Sequence, residues 1–147
     1  MRYLDYPPVW LAGFLFLALA IGYGLPAGGF GAWARVMGPA LVGAGFALMA
    51  LAAFAMLRHR TTIVPHRVPD ALVTDGVFSF SRNPIYLGDA LVLAGVILRL
   101  DAVLALPLIP LFVWVLRRRF IDPEEARLRA AFGDEFDAYT QRTRRWL

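Results

Sequence analysis

The sequence predicts an all-α integral membrane protein, a bundle of about four transmembrane helices followed by an amphipathic helix outside the membrane. Of its 147 residues, 59% are hydrophobic and 18% are charged. A soluble domain is usually about 45–50% apolar and about 25% charged, and a chain of this size in water could not bury so much apolar surface. The apolar residues collect in four runs: Val9–Leu25, Met37–Leu57, Ile85–Leu98 and Ala102–Leu116.

The first two runs carry no charge, and each is long enough to cross a bilayer, which takes about 20 residues. A cleavable signal peptide is the alternative for the first run, because Ala18-Leu19-Ala20 resembles a cleavage site. Asp5, Pro7 and Pro8 in the leader argue against that alternative. We therefore expect two N-terminal membrane helices within residues 1–57.

Small residues in the second run suggest a face for close helix packing. Ala40, Gly43, Ala44 and Ala47 lie along one side of the predicted helix, and such a stripe permits close approach of a neighbouring helix in lipid. The abundance of alanine in this chain explains the stripe equally well.

The third and fourth runs are short, and only Arg99-Leu100-Asp101 separates them, which predicts a tight helical hairpin. Pro107 and Pro110 should kink the last membrane helix. Beyond Leu116 the chain becomes polar, and apolar residues recur at helical spacing from Leu128 to Tyr139, interrupted by Gly133. This pattern predicts the amphipathic helix.

All 15 basic residues are arginines, and their distribution predicts the orientation in the membrane. Arg35 and Arg99 fall on one side of the predicted bundle and all other arginines on the other. By the positive-inside rule, both termini, the loop before Pro84 and the C-terminal tail face the cytoplasm. Because the arginines flank apolar runs, we interpret the net charge of +4 as membrane anchoring and expect no nucleic-acid partner.

The composition also excludes several kinds of chemistry. The chain has no lysine, which excludes Schiff-base catalysis and a P-loop lysine. It has no cysteine, which excludes disulfides, thiolate nucleophiles and zinc fingers. Only His59 and His66 are present, and we expect no metal site.

Two polar segments on the predicted cytoplasmic side carry the unusual residues. The first, 61–89, contains Arg82-Asn83-Pro84-x-Tyr86-x-Gly88. The second, 120–146, contains Glu124-Glu125-x-x-Leu128 and Phe132-Gly133-x-x-Phe136-x-x-Tyr139. Because the hairpin brings the two segments together, we expect one polar pocket at the membrane face.

In this order and spacing, the motifs resemble the isoprenylcysteine carboxyl methyltransferase family and the related phospholipid methyltransferases, over roughly residues 58–147. The resemblance implies one membrane methyltransferase domain, 1–147, in which 58–147 is the core that binds S-adenosylmethionine at the cytoplasmic face. It also implies a lipophilic methyl acceptor and membrane lipids as partners. We expect the inner or plasma membrane of a prokaryote, and we identify no protein partner.

The resemblance also implies which residues shape the cofactor pocket: His66, Gly76, Val77, Phe78, Arg82, Asn83, Pro84, Tyr86, Glu124 and Glu125. Arginine can hold the carboxylate of S-adenosylmethionine in a fork, and the glutamates can accept from its ribose hydroxyls or ammonium. Asn83 stands where the eukaryotic prenylcysteine enzymes have histidine. A simple anchor role for Arg82 and a helix N-terminus for the two glutamates are the structural alternatives.

Asp89 and Arg118 are the candidate catalytic residues. A carboxylate inside an apolar helix is costly in lipid, so Asp89 is either a functional group, for example a base for an amine or thiol acceptor, or the structural partner of an arginine. Arg118 could steer an anionic substrate, although Arg117–Arg119 also fits a lipid headgroup boundary.

The acceptor therefore stays open at this stage. An isoprenylcysteine-like carboxylate, a phospholipid amine and a small hydrophobic amine or thiol are all compatible with the motifs. A non-catalytic membrane module that binds lipid or a partner helix is the alternative from another functional class.

Overall fold

The computed structural model describes residues 6–61 and 70–147, and all regular structure within these ranges is helical. This confirms the all-α prediction. The α-helices of the described part are α1 (Pro7–Gly24), α2 (Ala32–Arg58), α3 (Pro84–Arg99), α4 (Leu108–Leu116), α5 (Asp122–Phe132) and α6 (Asp134–Arg142).

Helices α1 and α2 are each long and apolar enough to cross a membrane. α1 begins with Pro7 and Pro8, whose fixed φ and missing N–H suit a first helical turn. Large apolar side chains on both helices are exposed, including Phe16, Phe46 and Phe54, which are 59–70% exposed. Exposed apolar surface of this kind is typical of contact with a membrane or with another protein.

Glycines hold α2 and α3 together as an antiparallel pair. A Cβ added at Gly45 would lie 2.6 Å from the carbonyl oxygen of Gly88, and one added at Gly95 would lie 2.6 Å from that of Gly38. The backbones therefore touch where no side chain intervenes, as is typical of helices packed in lipid.

The predicted stripe on α2 lies on the wrong face. Ala40, Gly43, Ala44 and Ala47 are all exposed, whereas the buried small residues are Ala34, Gly38, Gly45 and Ala52. Several faces of α2 carry small residues, so their spacing alone did not identify the one that meets α3.

Helix α3 lies between α1 and α2, which contact each other little. Phe14 of α1 packs against Phe112 of α4 with ring centroids 4.9 Å apart, beside the buried Leu93 and Ile97 of α3. At the end of the molecule away from the polar residues, the Asp101 carboxylate accepts hydrogen bonds from the Gly29 and Phe30 amides at 3.1 and 2.8 Å. These bonds fasten the α1–α2 connection to the turn after α3.

The fourth apolar run differs from its prediction. It opens with a 3-10 turn, Val103–Ala105, and α4 begins only at Leu108. Pro107 precedes α4 and Pro110 lies in its first turn, where no backbone N–H is needed, so the predicted kink is absent. Within the described ranges, only α1 and α2 reach spanning length, and the count of four transmembrane helices is not confirmed.

From α4 the chain passes through a π-helical turn, Arg117–Ile121, directly into α5. The predicted C-terminal amphipathic helix is two helices, α5 and α6, broken at Gly133, whose φ is +49°. Glycine adopts this left-handed conformation readily. Residues 143–147 then return to the start of α3. We call the end of the molecule where these residues meet α5 and α6 the polar end.

Candidate active site

The C-terminal residues are hydrogen-bonded to the segment that opens α3. The Arg82 amide donates to the Arg144 carbonyl at 3.0 Å, and the Asn83 side-chain amide donates to the Arg145 carbonyl at 3.0 Å. The Ser81 hydroxyl donates to the same carbonyl at 3.3 Å. These bonds hold the segment that leads into α3, which carries the predicted site residues Arg82, Asn83 and Pro84.

A buried carboxylate, Glu125, joins two arginines at the polar end. Arg145 donates to it through Nε at 3.1 Å and Nη2 at 2.5 Å, and Arg82 Nη1 lies 3.4 Å from its Oε1. The hydrogen bond to Glu125 raises the pKa of Arg145, and burial partly opposes that rise. Bidentate arginine–carboxylate pairs combine strength with fixed geometry. This pair fixes Glu125, whose Oε1 lies beside Arg82 Nη1.

The neighbouring Glu124 has a different environment. It accepts a hydrogen bond of 2.8 Å from the Tyr86 hydroxyl, and the Tyr86 ring stacks on Phe120 with centroids 6.2 Å apart. Glu124 also lines two cavities, whereas Glu125 lies among the arginines behind them. Sequence reasoning treated the two glutamates alike, and the structure separates them.

The larger of these cavities, the helix cavity, has a volume of about 240 Å³ and lies between α1, α2 and the start of α3. Its walls include Pro8, Met49, Ile85, Tyr86 and Asp89. Asn83 and Pro84 also line it. Most of this surface is apolar, and its polar groups include the carboxyl groups of Asp89 and Glu124 and the phenol of Tyr86.

The smaller cavity, the loop cavity, has a volume of about 60 Å³ and faces the polar end. Its walls include Thr61, Val73, Leu128 and Tyr139. Both cavities share the lining residues Met56, Phe78, Arg82 and Glu124. The two cavities therefore adjoin. We call the four residues that line both cavities the junction.

Two polar atoms on the wall of the loop cavity are buried without a hydrogen-bond partner among the described residues: Thr61 Oγ1 and Arg82 Nε. Arg127 Nε is also unpaired but does not line this cavity. Buried polar groups are almost always hydrogen-bonded in native proteins. A polar ligand with acceptor atoms could pair with both of these atoms.

Tyr139 fixes the position of Phe78 at the junction. Its hydroxyl donates to the Phe78 carbonyl at 2.6 Å, and the side chain is buried. Burial raises the pKa of Tyr139, against the lowering effect of Arg82 and Arg142, so the phenol stays protonated and remains a donor.

Asp89 is 4% exposed and lines the helix cavity but not the loop cavity. No described residue forms a hydrogen bond or ion pair with its carboxylate. The arginine partner considered as its structural alternative is thus absent from the described part of the chain.

Other predicted site residues lie apart from the junction. Gly76 and Val77 line a separate cavity beside Phe54 and Arg58. Arg118 is exposed on the π-helical turn and lines neither the helix cavity nor the loop cavity. His66 lies outside the described residues. Their functional roles stay predictions.

The residues of the site that were not predicted include Met56, Thr61, Tyr139 and Arg145. Tyr139 belongs to the motif Phe132-Gly133-x-x-Phe136-x-x-Tyr139, whose regular spacing could have indicated that it is part of the site. Arg145 could not be told from the other terminal arginines, and nothing in the sequence distinguishes Met56 or Thr61.

Comparison with known proteins assigns the family. The profile of the phospholipid methyltransferase family matches residues 33–135, which include the first turn of α3 and both glutamates. Protein-S-isoprenylcysteine O-methyltransferase of Schizosaccharomyces pombe is 32% identical over 71 residues, which are 48% of this chain and 30% of that protein. The chain thus spans about a third of the length of this relative. No solved structure matches.

These matches confirm the resemblance predicted from the motifs. Together with two apolar helices of spanning length, they support a membrane protein of a methyltransferase family. The chain belongs to the phospholipid methyltransferase family.

Proposed function

We propose that this protein transfers a methyl group from S-adenosylmethionine to a lipophilic acceptor that enters from the membrane, as in the isoprenylcysteine carboxyl methyltransferases. One observation carries the proposal: two adjoining cavities share a wall at Phe78, Arg82 and Glu124. Methyl transfer is an in-line displacement, so donor and acceptor must approach the methyl carbon from opposite sides. Two compartments with one junction suit that requirement.

The residues at the junction fit S-adenosylmethionine, which supplies a methyl group activated by its sulfonium. The unpaired Arg82 Nε suits its carboxylate, and Glu124 suits its ammonium or ribose hydroxyls. Thr61 offers a further hydroxyl. The faces of Phe78 and Tyr86 can contact a cation at about 0.5–2 kcal/mol. Glu125 acts through Arg82 by holding its guanidinium.

The helix cavity suits the acceptor. Its apolar walls at Pro8, Met49 and Ile85 are compatible with a hydrocarbon chain and exclude water from the reacting atoms. With the orientation predicted from the arginines, the polar end lies at the cytoplasmic face, and the acceptor is drawn from the lipids of an inner or plasma membrane.

The test is binding of S-adenosylmethionine and S-adenosylhomocysteine to the full chain in detergent, followed by thermal unfolding, with ATP as the control ligand. A ligand at 100 times its Kd stabilises a two-state protein by about 2.7 kcal/mol. We expect both adenosyl ligands, and not ATP, to stabilise the protein. Absence of any stabilisation of folded protein would overturn the proposal and favour a non-catalytic module.

Substitutions then connect binding to the junction. We expect Arg82→Ala and Glu124→Gln each to weaken S-adenosylhomocysteine binding by at least about tenfold, which corresponds to loss of one charge-assisted hydrogen bond. Arg129→Ala, at an exposed arginine of α5, is the matched control and should bind normally. Unchanged affinity in both junction variants would place the cofactor elsewhere.

A further inference from the structure

We propose that a groove between α2 and α3, at the end of the molecule away from the polar end, binds an anionic phospholipid. The lipid phosphate lies between Arg35 and Arg99, and one acyl chain fills the groove, which we call the distal groove. The proposal does not depend on methyl transfer, because none of the described residues that line this groove also lines the helix cavity or the loop cavity.

The distal groove is formed by one face of each helix. It has a volume of about 310 Å³ and is lined by Pro39 and Val42 of α2 and by Val96, Arg99 and Leu100 of α3. Four of these five residues are apolar, and association within lipid depends on close packing of apolar groups. A hydrocarbon chain therefore suits the groove, and Arg99 supplies a positive charge at its wall.

Arg35 lies on the face of α2 that forms the groove. It precedes Pro39 by four residues and Val42 by seven, and residues at these spacings share a helix face. A Cβ added at Gly38 would lie 2.7 Å from the backbone nitrogen of Arg99. The beginning of α2 therefore meets the end of α3, so Arg35 and Arg99 belong to the same end of the groove.

The two arginines have no partner for their charge in the described part of the chain. Both are exposed, and neither side chain forms an ion pair or a hydrogen bond with a described residue. Asp101, the acidic residue next to this end of α3, accepts from the Gly29 and Phe30 amides instead. Guanidinium groups bind phosphate through parallel N–H bonds. A phosphate between the two arginines would complete both of them.

Helix stability does not account for Arg35. It is the fourth residue of α2, where the helix dipole disfavours a cation, and this turn carries no acidic residue. Arg99 lies in the last turn of α3, where the dipole favours a cation. The N-cap of α2, Gly31, forms no side-chain hydrogen bond. An anionic head group is therefore attracted both by Arg35 and by the positive end of α2.

Trp33 fits the level of lipid head groups at this end. It is 56% exposed and packs edge-on against Phe30, with ring centroids 6.2 Å apart. Tryptophan is enriched where head groups meet hydrocarbon, and Arg35 follows two residues later. Because no acidic residue among the described ones lines the groove, a head group that also carries an ammonium gains nothing from that charge. An anionic phospholipid therefore fits better than a zwitterionic one.

The experiment is native mass spectrometry of the full chain released from detergent that contains equal amounts of phosphatidylglycerol and phosphatidylethanolamine. We expect wild-type protein to retain phosphatidylglycerol over phosphatidylethanolamine by about tenfold or more. Arg35→Gln and Arg99→Gln should each lower that preference by about fivefold, the usual contribution of one basic residue near anionic lipid. The double variant should show little preference and should still bind S-adenosylhomocysteine as wild type does.

Two matched controls separate the groove from its surroundings. Arg58→Gln removes an exposed arginine at the other end of α2 and should keep the preference. Val96→Phe fills the groove and should lower lipid binding with both arginines intact. Its control, Val36→Phe, changes a residue that is 76% exposed and lies outside the groove lining, and should bind lipid normally.

Three results would overturn the proposal. The first is equal retention of the two lipids by wild-type protein, or full preference in the double variant. The second is an equal loss in Arg58→Gln, which would mean that any arginine at the membrane edge attracts anionic lipid. The third is displacement of phosphatidylglycerol by inorganic phosphate, which would mean that the two arginines bind a free anion without its lipid chain.

Discussion

The α2–α3 contact and the polar end are held together in opposite ways. Between α2 and α3 the backbones meet at Gly38, Gly45, Gly88 and Gly95 because side chains are absent. At the polar end the contact is made by long charged side chains, with Glu125 between Arg82 and Arg145.

The difference separates scaffold from site. In the glycine contact, a Cβ added at Gly38, Gly45, Gly88 or Gly95 would lie within 2.7 Å of an atom of the facing helix, so the two backbones support each other directly. At the polar end, Arg82 Nε and Thr61 Oγ1 have no hydrogen-bond partner among the described residues. α3 belongs to both regions, since its glycines face α2 and its first turn carries the site.

The largest effect is expected from breaking the scaffold with Gly45→Leu. A Cβ at this position would lie 2.6 Å from the Gly88 carbonyl oxygen and 2.8 Å from Val92, so the helices must separate. We expect a loss above about 4 kcal/mol, in the range reserved for severe core defects, seen as loss of folded protein in thermal unfolding.

Gly43→Leu is the control for that experiment, because nothing lies within 4 Å of a Cβ at Gly43. It should unfold at nearly the wild-type temperature. Equal damage from both substitutions would show that helix propensity or lipid contact, and not the α2–α3 approach, sets the stability.

A smaller effect is expected from Glu125→Gln at the polar end. The substitution removes the charge that Arg145 and Arg82 share, and hydrogen bonds to charged groups contribute about 1.5–3 kcal/mol each. We expect lower thermal stability together with weaker S-adenosylhomocysteine binding, since Arg82 loses its orientation. Glu124→Gln should weaken binding with little change in stability. If the two variants behaved alike, the structural separation of the glutamates would be wrong.

Four residues of the polar end were predictable from the sequence, whereas the packing of the scaffold was not. Arg82, Asn83, Tyr86 and Glu124 stand in motifs whose order along the chain could be recognised, and the structure brings all four to one cavity. The fit between two backbones in three dimensions decides which face of α2 meets α3. In the sequence, Ala40 and Gly43 are small residues just as Gly38 and Gly45 are, so residue size alone does not identify that face.

The same reasoning explains the remaining differences. A proline in an apolar run is compatible with a kink inside a helix or with the beginning of a helix. In the structure the helix begins at Leu108, which the sequence alone does not determine. The partners of Glu125 could not be foreseen, because Arg145 lies 20 residues away on a segment without regular structure. The C-terminal residues fold back onto the segment before α3, and contacts of this kind produce no periodic pattern in the sequence.

The substitution Tyr139→Phe tests the polar end through the pH dependence of its stability. Burial raises the pKa of Tyr139, so between its ordinary value of about 10 and its folded value the folded state holds a proton that the unfolded state loses. Its contribution to stability is therefore complete below about pH 10 and is lost as pH rises further. We expect Tyr139→Phe to cost about 1 kcal/mol at neutral pH and to flatten the alkaline loss of stability.

Urea unfolding between about pH 8 and pH 11 measures that slope. Tyr23→Phe, at a tyrosine that is 77% exposed, is the matched control and should leave the slope unchanged. A Tyr139→Phe variant with the wild-type slope would mean that the hydroxyl is not buried against the Phe78 carbonyl in solution.

The smallest effect is expected from Arg129→Ala, and it shows that charge alone does not define the polar end. Arg129 Nε lies 2.8 Å from Asp137 Oδ1, closer than Arg82 lies to Glu125, yet both side chains of the Arg129–Asp137 pair are about half exposed. Exposed ion pairs contribute only about 0–1 kcal/mol because water and salt screen them. We therefore expect nearly wild-type unfolding and cofactor binding from Arg129→Ala, against clear losses of binding from Arg82→Ala. A large loss of binding in Arg129→Ala would mean that α5 and α6 also belong to the functional surface. It would also mean that the exposed Arg129 matters for binding as much as the buried Arg82, which lines the cavities.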